Sequence, residues 1–112
     1  MLKVGVFGVG HLGKFHLNNW KQIPTVELVG FFDPNNEQAA EVEKTYGLKR
    51  FMNEADLIAA VDAIDVVTPT HLHFAVCEMA IKMGKHVFVE KPMANMIEEG
   101  KAIMHMVKEA NV

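Results

Sequence analysis

Residues 8–15 read GVGHLGKF, and two phosphate-binding turns can be laid over them. Gly8, Gly10 and Gly13 satisfy G-x-G-x-x-G, the turn that seats a dinucleotide. Gly8, Gly13 and Lys14 satisfy most of G-x-x-x-x-G-K-[ST], the loop that holds a nucleoside triphosphate. That second loop needs a hydroxyl after its lysine to ligate Mg²⁺, and the residue there is Phe15. The dinucleotide turn needs a strand before it, a helix after it and an acid about 20 residues further on. All three are present. LKVGVF (2–7) is a continuous apolar strand, residues 11–22 have helical spacing, and Asp33 closes the next apolar run, VELVGFF (26–32).

Each residue of the turn then has a physical task. Gly8 permits the sharp exit from the first strand, Gly10 lets backbone approach a pyrophosphate, and Gly13 lets the helix pack closely on the strand. Backbone N–H groups near His11 and Leu12, at the positive end of that helix, face the anion. Asp33 accepts hydrogen bonds from the adenosine ribose. The same carboxylate repels a 2′-phosphate, and DPNNEQ (33–38) contains no arginine, so NAD is favoured over NADP as cofactor. A purely architectural reading makes the glycines turn residues and Asp33 a helix cap, but it requires all four to coincide by chance.

Working outward, apolar runs alternate with helical segments along the whole chain. The helix over 11–22 is expected to turn Leu12, Phe15, His16, Trp20 and Ile23 toward the core, and Pro24 ends it. A helix over 36–46 capped by Gly47 leads to a short third strand near LKRF (48–51), then a small helix over 54–60. AIDVVT (63–68) is the fourth strand, followed by a helix over 71–83 with Phe74, Cys77, Ala80 and Ile81 on one face. HVFVE (86–90) is the fifth strand, and a helix over 95–109 places Ile97, Ile103, Met104 and Val107 inward. Strands that are apolar throughout belong to a parallel sheet covered on both faces. The fold class is therefore α/β, a doubly wound parallel sheet of Rossmann type in the order 3-2-1-4-5, forming one domain over 1–112. A sixth strand is lacking, which leaves strand 5 an unprotected edge. The chain stops at EANV within a helix-to-strand connection, so a piece of a longer two-domain chain is expected.

Composition narrows the function. A net charge of -3 supplies no basic field, so nucleic acid and anionic membrane are not expected partners. No run approaches the roughly 18 apolar residues of a membrane span, and MLKVGVFGVG lacks the long apolar core of a signal peptide. Cys77 is the single cysteine, which fits a reducing cytoplasm and reads as a buried helix residue with no base to activate it. No metal site is expected, because His71 and His73 are too close in sequence to share a helix face and other ligands are too few. Met79, Met83, Met93, Met96, Met104 and Met106 recur at helical spacing and read as core filling. His16 lies on or beside the packed face, as a core histidine, a cleft-edge histidine or a ligand contact.

Two further stretches fall at the carboxyl ends of strands, where such sheets bind ligands: TPTHLH (68–73) and EKP (90–92). With G-x-G-x-x-G-x-x-H over Gly8–His16, they make the whole chain resemble the glucose–fructose oxidoreductase and inositol dehydrogenase family, often written Gfo/Idh/MocA. The resemblance implies the NAD(P)-binding domain of an oxidoreductase that moves hydride between a nicotinamide and a carbinol carbon of a sugar, cyclitol or related molecule. It implies a second domain of about 200 residues that holds the small-molecule substrate and the main acid–base pair, and a homo-oligomeric full-length protein. Lys91 is implied as the catalytic residue, since an ammonium there stabilises the alkoxide as hydride leaves. Glu90 orients Lys91, and Pro92 fixes the backbone that aims it. Thr68, Pro69 and Thr70 lie beneath the ribose and nicotinamide, with Thr70 standing where the family more often has asparagine, and His73 approaches from the helix that follows. Alone, the chain is expected to bind cofactor without turning over substrate. The competing class is a non-catalytic dinucleotide-sensing or assembly module, against which Asp33, Glu90 and Lys91 all speak.

Overall fold

A computed structural model describes residues 1–89 and 97–110, the side chains of Thr70, Ile97 and Glu98 excepted. Five strands, β1 (Leu2–Phe7), β2 (Val26–Phe32), β3 (Lys49–Arg50), β4 (Ala63–Val66) and β5 (His86–Val89), form one sheet. Every pairing is parallel, in the order β3-β2-β1-β4-β5. The helices are α1 (His11–Lys21), α2 (Asn36–Tyr46), α3 (Glu54–Ala60), α4 (His73–Lys82) and α5 (Ile97–Ala110). A 3-10 turn over Thr70–Leu72 leads into α4, so β4 stops short of the strand expected through 68.

Alternation along each strand divides the apolar side chains between the two faces. Val6, Leu17, Phe31, Ala39 and Val42 form one core, beneath α1 and α2. Phe7, Leu57, Ile58, Ile64, Val66, Cys77, Ala80, Ile81 and Ile103 form the other, beneath α3, α4 and α5. Each large side chain so buried contributes about 1.5–3 kcal/mol, which is why the register is fixed on both sides at once. Asn35 caps α2 by accepting the Gln38 N–H at 3.0 Å, and Asn53 caps α3 by accepting the Asp56 N–H at 2.9 Å. Gly47 ends α2 in a left-handed conformation, φ 65°.

Two helix faces differ from the sequence reading. In α1 the buried residues are Gly13, His16 and Leu17, while Leu12 and Phe15 are 49% and 56% exposed and Ile23 is also exposed. His16 is buried and Trp20 packs against the core as expected, but Leu12, Phe15 and Ile23 do not, because Gly13, with no side chain, is what lets the helix touch the sheet. In α5, Ile103 is buried and Met106 and Val107 pack against the core, but Met104 points outward. Of the methionines read as core, Met79 packs inward, Met83 is exposed, and Met93 and Met96 lie outside the described residues.

Candidate functional site

The loop after β1 is shaped by what its glycines exclude. Gly8 has φ 94°, and a Cβ on it would stand 2.8 Å from the Val67 carbonyl and the Thr68 nitrogen, at the end of β4. A Cβ on Gly13 would run into the Gly8 carbonyl, so α1 could not close on its own loop. Gly10 differs from both. Its φ of -68° suits any residue, and the nearest atom to an added Cβ is the Gln38 amide, 3.8 Å away. Nothing among the described residues requires glycine there; the space opens on a cleft that Gly10 and Gln38 both line.

Gly10 is also the N-cap of α1, with no side-chain cap bond and no acidic residue in the first turn. The positive end of the helix is therefore left for an anion. Opposite it, Asp33 is buried at the end of β2; its Oδ2 accepts the Val9 N–H at 2.9 Å and its Oδ1 the Asn35 N–H at 2.8 Å. Two bonds leave a carboxylate with lone pairs for further donors.

The cleft has a volume of about 480 Å³, within the range of small-molecule sites. It lies where the strand order reverses, between β1 and β4. Gly8, Gly10, His11, Leu12, Gly13 and Asp33 line one side, and Thr68, Pro69 and Leu72 the other. Eight of the residues expected to bind cofactor are thus brought together. Thr70 opens the 3-10 turn beside them. His73 is buried rather than solvated and stands behind the wall, its Nε2 donating to the Thr68 carbonyl at 2.8 Å. His71 is exposed. Glu90, Lys91 and Pro92 lie outside the described residues.

Lys14, which a triphosphate loop would aim at phosphate, pairs instead with Glu41 of α2 at 2.6 Å. Among the described residues no three His, Cys, Asp or Glu side chains come together to hold a metal, and no helix is long and apolar enough to cross a membrane.

Sequence reasoning missed two groups. Arg50 of β3 reaches the β2–α2 turn, where Nη2 donates to the Asp33 carbonyl and to Asn36 Oδ1, each at 2.9 Å. Asp65, fully buried in β4, accepts the Trp20 Nε1–H at 2.7 Å and the His16 Nδ1–H at 2.6 Å through Oδ2. The signal for the second was readable: one aspartate inside AIDVV, and a histidine and tryptophan four apart on one helix. His16, Trp20, Asp65, Ile23 and Phe88 line a separate cavity of about 250 Å³.

A family model described as an oxidoreductase family with an NAD-binding Rossmann fold, that of Gfo/Idh/MocA, matches residues 2–112. The UDP-N-acetylglucosamine 3-dehydrogenase of Acidithiobacillus ferrooxidans is 42% identical over 111 residues, covering 99% of this chain and 35% of that protein. Its solved structure matches with a TM-score of 0.93 over 99% of this chain and 36% of that one. The scyllo-inositol 2-dehydrogenase (NAD(+)) of Bacillus subtilis is 33% identical over 115 residues, covering 99% and 34% respectively. A biliverdin reductase from Synechocystis, solved with biliverdin and NADP+, matches with a TM-score of 0.93 at 26% identity, covering 98% and 35%. The chain spans about a third of the length of the curated relatives it matches.

Proposed function

The chain belongs to the Gfo/Idh/MocA oxidoreductase family, and from that premise we propose that it is the part of a dehydrogenase that holds NAD, in preference to NADP, for hydride exchange with a secondary alcohol of a sugar or cyclitol. The observation that carries the proposal is Gly10. A glycine that neither backbone strain nor internal packing requires keeps open a space beside a bare helix end and a buried carboxylate. Those are the needs of a diphosphate and its adjoining ribose.

The nicotinamide, when bound, supplies the hydride acceptor. This chain's part is binding and orientation. Backbone N–H groups of the turn and of His11 and Leu12 hold the diphosphate, and Asp33 accepts ribose hydroxyls with the lone pairs that Val9 and Asn35 leave over. Thr68, Pro69 and Leu72 form the opposing wall, Thr70 follows them in the 3-10 turn, and His73, bound to the Thr68 carbonyl, fixes that wall's position. Lys91 donates to the substrate oxygen and stabilises the alkoxide, with Glu90 orienting it. Substrate and the acid–base pair come from a second domain, so the chain alone holds cofactor without turnover. The names of the relatives, which act on a nucleotide sugar and an inositol, support the substrate class. A cytoplasmic homo-oligomer is the proposed state of the whole protein.

Calorimetry with NAD, NADP and ATP tests the reading. NAD binding that weakens by about tenfold or more in Asp33→Ala supports it; Mg²⁺-dependent ATP binding alone overturns it. For Lys91, single-turnover hydride transfer in the intact enzyme decides: a rate in Lys91→Ala within about threefold of wild type removes it from the chemistry.

A further inference from the structure

Leu12, Phe15 and Ile23 follow one flank of α1 and its C-terminal exit, with Asn19 between them, and all three apolar side chains are exposed. The apolar surface continues onto the sheet. Val87 and Val89 of β5 pack into the core beneath α4 and α5, so alternation turns Phe88 to the opposite face, the one that carries α1. Phe88 stands there beside Asp65 in the β4–β5 register, 53% exposed, its ring edge-on to those of His16 and Trp20. The cavity of about 250 Å³ lies between Phe88 and the helix, with Asn19, Trp20 and Ile23 on its other side. None of Leu12, Phe15, Asn19, Trp20, Ile23 and Phe88 carries a charge. A contiguous apolar surface marks an interaction site, and depletion of charge marks the core of a permanent one.

Resting on the reading of the chain as one part of a larger dehydrogenase, we propose that the groove between α1 and β5 is the seat of the substrate-holding domain, which lays apolar side chains along Leu12, Phe15 and Ile23 and fills the cavity beside Phe88. The chain spans about a third of the length of its curated relatives, so one polypeptide of that length supplies the cover without a separate partner. The groove also leads to the cofactor. Leu12 belongs both to the apolar flank and to the lining of the dinucleotide cleft, so a domain seated along α1 reaches the rim at which substrate must meet nicotinamide. One helix then has two duties: its N-terminus faces the diphosphate, and its flank carries the domain that brings the substrate. The helical spacing of Leu12, Phe15 and Ile23 is that of a core stripe because, in the intact protein, it is one.

Hydroxyl-radical footprinting of the intact protein asks whether this face is covered, and photocross-linking asks by what. Phe15 and Phe88 are expected to oxidise about fivefold or more slowly than in the urea-unfolded protein, as at the centre of an interface. Leu2 and Met52, exposed elsewhere on the surface, should stay reactive. With p-benzoylphenylalanine in place of Phe88, irradiation should join that position to a residue outside 1–112 of the same polypeptide, with no doubling of mass. Rings as reactive as in the unfolded protein overturn the proposal. A photoproduct of doubled mass overturns it in favour of a second copy, and one confined to residues 1–112 overturns it in favour of a groove that this domain fills by itself. Should the substituted protein not fold, the wild-type footprint still decides: uncovered rings, or protection lost on dilution, overturn the proposal. NADH titration of the same protein separates the two readings. NADH binding with both rings uncovered removes the docking face and leaves the cofactor cleft standing; protected rings without NADH binding remove the cleft reading and leave the docking face.

Discussion

Val9 and Asp33 are 24 positions apart in sequence and one hydrogen bond apart in space, the Val9 N–H donating to Asp33 Oδ2 at 2.9 Å. That bond closes the glycine turn against the end of β2, so the residue that would hold the ribose also shapes the turn that would hold the diphosphate. Asp33→Ala is expected to lose both. Leaving the buried amide unsatisfied costs about 1–3 kcal/mol, and urea denaturation should read that loss. Asp33→Asn keeps one oxygen acceptor and should lose less stability while still weakening NADH, which separates the two duties.

The three glycines of the turn predict an ordering. Gly13→Ala, whose Cβ would collide with the Gly8 carbonyl, should destabilise by roughly 3 kcal/mol. Gly8→Ala adds positive-φ strain to its contacts with Val67 and Thr68 and should cost about 2 kcal/mol. Gly10→Ala should cost at most about 1 kcal/mol, as a lost N-cap glycine, yet weaken NADH by about tenfold or more. Thermal melts and NADH titrations on the same three proteins check it.

Asp65 ties α1 to β4 through Trp20 and His16. Removing a buried carboxylate strands its donors, so Asp65→Ala is expected to destabilise by about 3–5 kcal/mol. Trp20 is the single tryptophan, and its emission should shift to the red as Nε1 loses its buried acceptor. A melt within 1 °C or so of wild type would show the tie to be dispensable.

Burial pushes the Cys77 thiol from 9.0 up to about 11. In the unfolded chain the proton leaves first, so between those values the folded state binds more protons and stability falls as pH rises. The contribution is fully present below pH 9 and lost toward pH 11, to the extent of about 2–3 kcal/mol. Urea denaturation at stepped pH should show this extra loss in wild type and not in Cys77→Ala. At pH 8, a thiol reagent should react only as fast as the core opens.

The strand order and nearly every element boundary were legible because each rests on local pattern: unbroken apolar strands, helix-period segments, and glycine or proline between them. The cleft was legible for the same reason, since its glycines and Asp33 carry their spacing along the chain. What pattern could not supply was company. Leu12 and Phe15 have the right spacing for a core stripe, yet Gly13 decides which side of α1 meets the sheet. Arg50 was missed because the search for a cation followed the chain, whereas the sheet sets β3 beside β2. His73 was placed near the ribose by motif; its hydrogen bond to the Thr68 carbonyl is a tertiary contact that no motif specifies.

The open space at Gly10 has a practical corollary. A library of variants sorted only for resistance to heat or protease would reject changes at Gly8 and Gly13 and admit Gly10→Ala almost unnoticed. At this one position the polypeptide stores a shape it does not itself use. Selection for a well-behaved protein would erase it silently.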